Sequence, residues 1–199
     1  MKHRKTLQTI LITCGVVLGS AAAAETPSAT MLANTCFGCH GPNGNSVGPA
    51  SPTIAGLSSE YFIETMHGYK SGEIPSTIMG RIAKGYSEEE IKLLAGYFSK
   101  QKFNRAAKSQ KTDPKLAKKG AKLHKKYCEK CHEDGGRSSE DDAGILAGQW
   151  MPYLHYTFTD YLSGNREMTK KMKKKMNALK DKKGDKGFEQ LLHFYGSQK

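Results

Sequence analysis

One five-residue pattern occurs twice, and it constrains the chain more than anything else in it. Cys36-Phe37-Gly38-Cys39-His40 returns as Cys128-Glu129-Lys130-Cys131-His132. A thioredoxin-like dithiol needs one Cys-x-x-Cys and no histidine after it. A zinc ribbon brings its two pairs together within roughly 15–20 residues, whereas here the first cysteines of the pairs are 92 apart. Cys-x-x-Cys-His is the attachment signature of haem c. Cys36 and Cys39 would add across the two vinyl groups of one porphyrin, and Cys128 and Cys131 across those of a second. His40 and His132 then stand ready to ligate the irons. Two covalently bound haem c groups supply one-electron chemistry that no side chain offers.

The offset of 92 extends beyond the motifs. Ile54-Ala55-Gly56 maps onto Leu146-Ala147-Gly148, Tyr61-Phe62 onto Tyr153-Leu154, Tyr69 onto Tyr161, and Ser71-Gly72 onto Ser163-Gly164. A constant offset over such a stretch is the mark of a duplicated unit. Each copy has the same outline. A helix leads into the motif, at Ala29 to Thr35 and at Lys115 to Tyr127. A loop follows, Gly41 to Pro52 and Glu133 to Asp142. An amphipathic helix comes next, Ser59 to Tyr69 and Pro152 to Leu162. A connecting loop carrying methionine leads to a closing helix, Ser87 to Ser99 and Gly187 to Gly196. Ser87 before Glu88, Glu89 and Glu90 has the hydroxyl and acidic first turn of a helix start. No segment shows the alternation of a strand. The chain therefore reads as all-α, with a first domain at 25–99, a polar linker at 100–114 and a second domain at 115–199.

Residues 1–24 read as a secretory signal peptide. Lys2, Arg4 and Lys5 form its basic start, Leu7 to Leu18 its apolar middle, and Ala22 to Ala24 its small-residue end. No later run is apolar enough to span a membrane. Cys14 leaves with the signal, and the other four cysteines belong to the motifs, so none remains for a disulfide. Export predicts a periplasmic protein, since haem c is attached outside the bacterial cytoplasm. Charge is uneven: residues 25–110 carry net +1 and residues 111–199 net +8. A basic half points to an acidic partner surface, and export argues against nucleic acid.

A histidine fills one axial position of each iron. For the first, Met79 lies 39 residues after His40 in a loop before the closing helix, and Met opposite His is an electron-carrier arrangement. Met66 competes, but a methionine on an apolar helix face is more often core filler. For the second, Met172 lies 40 residues after His132, with Met168 and Met176 as alternatives. If both irons carry His and Met, neither is open, and outer-sphere electron transfer rather than catalysis is expected.

These stretches resemble tandem diheme class I cytochromes c. The long phrases Cys36 to Gly56, Tyr69 to Ile74, Thr77 to Tyr86, Gly120 to His132 and Ile145 to Tyr153 resemble more narrowly the cytochrome subunit of flavocytochrome c sulfide dehydrogenases. That resemblance implies an FAD-containing, sulfide-oxidising partner subunit as electron source and a soluble cytochrome c as acceptor. The alternative is a free diheme carrier serving a terminal oxidase; a weaker one is a haem enzyme whose iron loses its Met. No Gly-x-Gly-x-x-Gly is present, so a flavin belongs to another chain. The resemblance also implies that the Pro49 carbonyl orients His40; the repeat puts Asp141 at the matching place.

The lysines at 170, 171 and 173–175 flank Met172. They form either a solvated helix face or a docking patch for an acidic partner. Trp150, Tyr153 and Tyr156 are expected on a haem or between the halves. His67, His124, His155 and His193 are read as ordinary packing or polar residues.

Overall fold

The computed structural model describes residues 27–140 and 143–199. The signal-peptide reading and Asp141 lie outside them. Among the described residues there are ten α-helices and no strand: α1 (Ala29–Asn34), α2 (Phe37–His40), α3 (Ser59–Ser71), α4 (Met79–Ala83), α5 (Glu88–Phe98), α6 (Pro114–Tyr127), α7 (Glu133–Gly136), α8 (Met151–Ser163), α9 (Lys170–Lys183) and α10 (Asp185–Gly196). Among the described residues no helix is long and apolar enough to cross a membrane.

The duplication is visible in the backbone. Helices α3 and α8 begin and end at positions 92 apart, and each stops at a left-handed glycine, Gly72 and Gly164. The loop after each motif folds back in the same way. Ile54 N and Ala55 N donate to the Gly44 carbonyl at 2.8 and 3.1 Å; Leu146 N and Ala147 N donate to Gly136 at 2.9 Å each. Both acceptor residues have positive φ, which glycine adopts without a Cβ clash.

Each half closes on its own core. The first gathers Leu32 and Ala33 of α1, Phe62 and Met66 of α3, and Ile91, Leu94 and Phe98 of α5. Helix α5 starts with a complete capping box between Ser87 and Glu90. In the second half α6 crosses α10 so closely that a Cβ at Gly120 would stand 2.0 Å from the Gln190 carbonyl oxygen. Leu123, Leu154, Met176, Leu179, Phe188 and Leu191 fill the space between α6, α8, α9 and α10.

Two segments expected as methionine-bearing loops are helical. Met79 opens the short α4, and Lys170–Lys183 forms α9 with Thr169 as its cap, the hydroxyl accepting from Met172 N at 3.3 Å. The lysine run hides an apolar stripe, Met172, Met176 and Leu179, at helical spacing. Segment 100–114 does more than span: Phe103 packs with Leu57 and Ile145, one from each half, and Ala106 N donates to the Gly148 carbonyl at 2.8 Å.

Candidate haem-attachment sites

Both Cys-x-x-Cys-His motifs fold into the same helical turn. His40 N donates to the Cys36 carbonyl at 2.9 Å and His132 N to that of Cys128 at 3.0 Å; Cys39 N and Cys131 N approach the same carbonyls at 3.3 and 3.1 Å. Each turn is delivered by the preceding helix, through Cys36 N to Ala33 O at 3.0 Å and Cys128 N to His124 O at 2.8 Å. None of the four cysteines is in a disulfide. Burial pushes the Cys36 thiol up and that of Cys128 to about 11. A neutral sulfur suits these positions, and a thioether is one.

His40 is buried, and its Nδ1 lies 2.8 Å from the Pro52 carbonyl oxygen. A carbonyl only accepts, so Nδ1 carries the proton and Nε2 keeps a free lone pair for iron. Burial also lowers the affinity of His40 for a second proton. The orienting carbonyl is therefore that of Pro52, not Pro49. Pro49 is exposed at the outer end of the loop, beyond Gly48, which lies against the Trp150 indole. The strand of loop that returns past His40 is the one pinned by Gly44, and Pro52 is on it.

Cys36, Phe37 and Met79 border the first core, whereas Met66, 5% exposed, lies within it as filler. Cys128, Met168 and Met172 border the second core; Met176, 8% exposed, is inside it. Met176 is thus occupied in packing.

The two halves meet at a buried polar pair that sequence reading did not single out. The Gln149 amide donates through Nε2 to the Thr53 carbonyl and accepts through Oε1 from Thr53 N, both at 2.9 Å. Thr53 adjoins Pro52, so a second-half side chain fixes the loop that holds His40, the candidate first-half iron ligand. Trp150 Nε1 donates to the Ser46 carbonyl at 3.2 Å in the same junction. Tyr156 takes no part and is exposed.

Tyr61 and Tyr69 of α3 and Tyr153 and Tyr161 of α8, two pairs related by the repeat, all lie within electrostatic reach of buried Arg166. Its guanidinium sits 4.9 Å from the Tyr161 ring centroid. Among the described residues Arg166 pairs with no carboxylate. Burial pushes Tyr161 up to about 12 and raises Tyr69 and Tyr153 as well, so the hydroxyls stay donors. A buried cation ringed by donors fits the carboxylates of haem. The thiol turns, the bare His40 nitrogen and this cluster together match what the group requires.

Residues 26–102 match the cytochrome c family. The chain is 30% identical to cytochrome c4 of Azotobacter vinelandii over 180 residues, covering 81% of this chain and 84% of that one. The chain belongs to the diheme cytochromes c. It binds two haem c groups covalently and is an electron-transfer protein. Its fold superposes on reduced cytochrome c4 from Pseudomonas stutzeri with a TM-score of 0.72 at 25% identity, over 87% of this chain and 100% of that one. It is also 48% identical to the cytochrome subunit of sulfide dehydrogenase of Chlorobaculum tepidum over 68 residues, covering 34% of this chain and 61% of that one.

Proposed function

We propose that this diheme cytochrome c is the electron-accepting subunit of a sulfide-oxidising flavoprotein in the periplasm, and that it hands its electrons to a soluble cytochrome c. Each haem, when bound, takes up and releases one electron at its iron. The chain's part is to hold two such centres at a fixed spacing and keep both irons closed. His40 and Met79 would serve the first iron and His132 and Met172 the second, with Met168 the alternative to Met172. With His40 and Met79, and His132 and Met172, holding the two irons, catalysis would fall to the partner, and sulfide would meet the flavin rather than haem. The domains would run 25–99 and 115–199, joined by 100–114, after removal of 1–24.

The observation that carries this reading is the 48% identity to the cytochrome subunit of sulfide dehydrogenase. The likeness to cytochrome c4, which spans 81% of this chain, favours the second reading, a free diheme carrier that serves a terminal oxidase. Purification of the native protein separates them. A complex holding two haems and one flavin, reduced by sulfide, is expected. A lone diheme monomer without flavin would overturn the first reading in favour of the second.

A further inference from the structure

Beside the second haem-attachment turn lies a chain of polar side chains for which the first half has only apolar counterparts. His124 of α6 is 1% exposed, and its Nδ1 lies 2.9 Å from the hydroxyl of Tyr195 on α10, itself 1% exposed. That hydroxyl is within hydrogen-bonding reach of the Cys128 sulfur. On its other side, His124 Nε2 is 2.5 Å from Glu129 Oε2, and Glu129 is 41% exposed. The series runs from solvent, through Glu129, His124 and Tyr195, to a sulfur that carries haem. The repeat puts Leu32 and Phe37 at the places of His124 and Glu129. Phe98 stands for Tyr195, because its carbonyl accepts from Gly56 N at 2.8 Å just as that of Tyr195 accepts from Gly148 N at 2.8 Å. A buried polar network is costly unless its members are satisfied, so its presence in one half alone asks for a role.

Hydrogen-bond direction supplies one. A thioether sulfur only accepts. Tyr195 has one proton, which it can give either to His124 Nδ1 or to the Cys128 sulfur. While His124 is neutral with its proton on Nε2, facing Glu129, Nδ1 takes the tyrosine proton. When His124 gains a second proton, Nδ1 becomes a donor and the hydroxyl must turn to the sulfur. We propose that His124, through Tyr195, couples the reduction potential of the second haem to protonation, while the first haem is insulated from it. On reduction one electron arrives from the redox partner and a proton enters from water past Glu129 to rest on His124; oxidation reverses both. A positive charge and a hydroxyl dipole at the sulfur both favour the reduced, less positive centre, so the potential rises as pH falls. Burial lowers the proton affinity of His124 and Glu129 partly restores it, which sets the range on the acid side of neutrality. The titratable groups facing His124 are Glu129 and Tyr195; Lys175 of α9 acts on Cys128.

The test is redox titration of the intact diheme protein, following both midpoint potentials across the acid-to-neutral range. In the unmodified protein one potential should fall as pH rises and the other stay flat. His124→Leu, which installs the first-half residue, should abolish that slope; Tyr195→Phe, which removes the hydroxyl dipole but leaves the charge on His124, should shrink it; and Glu129→Gln should move it to lower pH. His124→Gln keeps a hydrogen-bonding side chain that does not titrate in this range, should also abolish the slope, and carries the test if His124→Leu fails to retain haem. Two flat profiles in the unmodified protein, a slope that survives replacement of His124, or a slope untouched by Tyr195→Phe would overturn the proposal; survival without His124 would assign the proton to the haem carboxylates. A purely structural role for the network would lower stability and leave the slope unchanged.

Discussion

Gln149 and Thr53 pair as two strands would, amide to backbone, with two hydrogen bonds of 2.9 Å across the junction of the halves. Both residues are almost wholly buried, at 2% and 1% exposure. Thr53 follows Pro52, whose carbonyl fixes the His40 ring. The junction thus reaches the candidate first iron site as well as forming a seam. Outer-shell contacts of this kind set how firmly an iron ligand is held. The equivalent of Gln149 in the first half is Leu57, which contributes to the apolar patch with Phe103 and Ile145. The two halves meet by unlike surfaces although they descend from one repeat.

Gln149→Leu should therefore do two things. It strands the buried N–H and carbonyl of Thr53, at a cost of about 2 kcal/mol. It also loosens the loop behind His40. Denaturant unfolding of the haem-loaded protein should show a lower midpoint for the first half, and the potential of the first haem should shift while that of the second does not.

The contact of α6 with α10 makes a sharper steric prediction. A Cβ at Gly120 meets backbone 2.0 Å away, so the helices must separate to admit even alanine. Gly120→Ala should destabilise the second half by about 3 kcal/mol. Gly96, inside α5, has nothing within 4 Å of its Cβ position. Gly96→Ala should instead stabilise by roughly 0.5–1 kcal/mol through helix propensity. Thermal unfolding of the two variants side by side checks the contrast.

The methionines are separable by exposing the irons. Met79→Ala should open the first iron, and Met172→Ala the second, to carbon monoxide in the ferrous state. Met168→Ala should leave both closed. Met176→Ala should lower stability by roughly 2–5 kcal/mol, as a core truncation does, without opening either iron. If Met168→Ala opens the second iron and Met172→Ala does not, the ligand is Met168.

The repeat made most of this fold legible. The offset of 92 paired Ser71-Gly72 with Ser163-Gly164 and set a helix before each pair, at Ser59 to Tyr69 and Pro152 to Leu162; the structure carries both helices on to those glycines. Of α9 only the lysine-rich face was legible, because eight lysines between 170 and 183 obscure a stripe of only three apolar residues. The Pro52 carbonyl was missed for another reason. Which carbonyl reaches His40 depends on where Gly44 pins the returning loop, and a resemblance to other loops does not carry that. The Gln149–Thr53 pair spans 96 residues of sequence and has no signal in either neighbourhood. His124 looked like any packing histidine until Tyr195 and Glu129 came to its two nitrogens.

The basic second half should govern encounter rates. The lysines at 170, 171 and 173–175 are all exposed on α9. Reversing two of them, with Lys173→Glu and Lys174→Glu, should slow electron transfer to an acidic redox partner about tenfold at low ionic strength. The difference should shrink towards zero at about 1 M salt, where the screening length is roughly 3 Å. Stopped-flow rates against ionic strength measure both. Equal rates for variant and parent at low salt would make these lysines a solvated face only.

Acid stability follows from His124 with a definite sign. Burial depresses its proton affinity in the folded chain, and the Glu129 carboxylate offsets this only in part. The unfolded chain, with a histidine near its ordinary pKa of about 6.5, therefore binds more protons than the folded one just below that pH. Stability is fully present above about pH 6.5 and falls as the pH drops through the range below it. Glu129→Gln should deepen the loss, since it removes the carboxylate that acts on the imidazole. His124→Leu should remove this contribution altogether and flatten the profile of the second half. Urea unfolding of the haem-loaded protein at about pH 5, 6, 7 and 8 is the measurement. A second half whose stability rises on acidification in the unmodified protein would mean that the Glu129 contact outweighs burial.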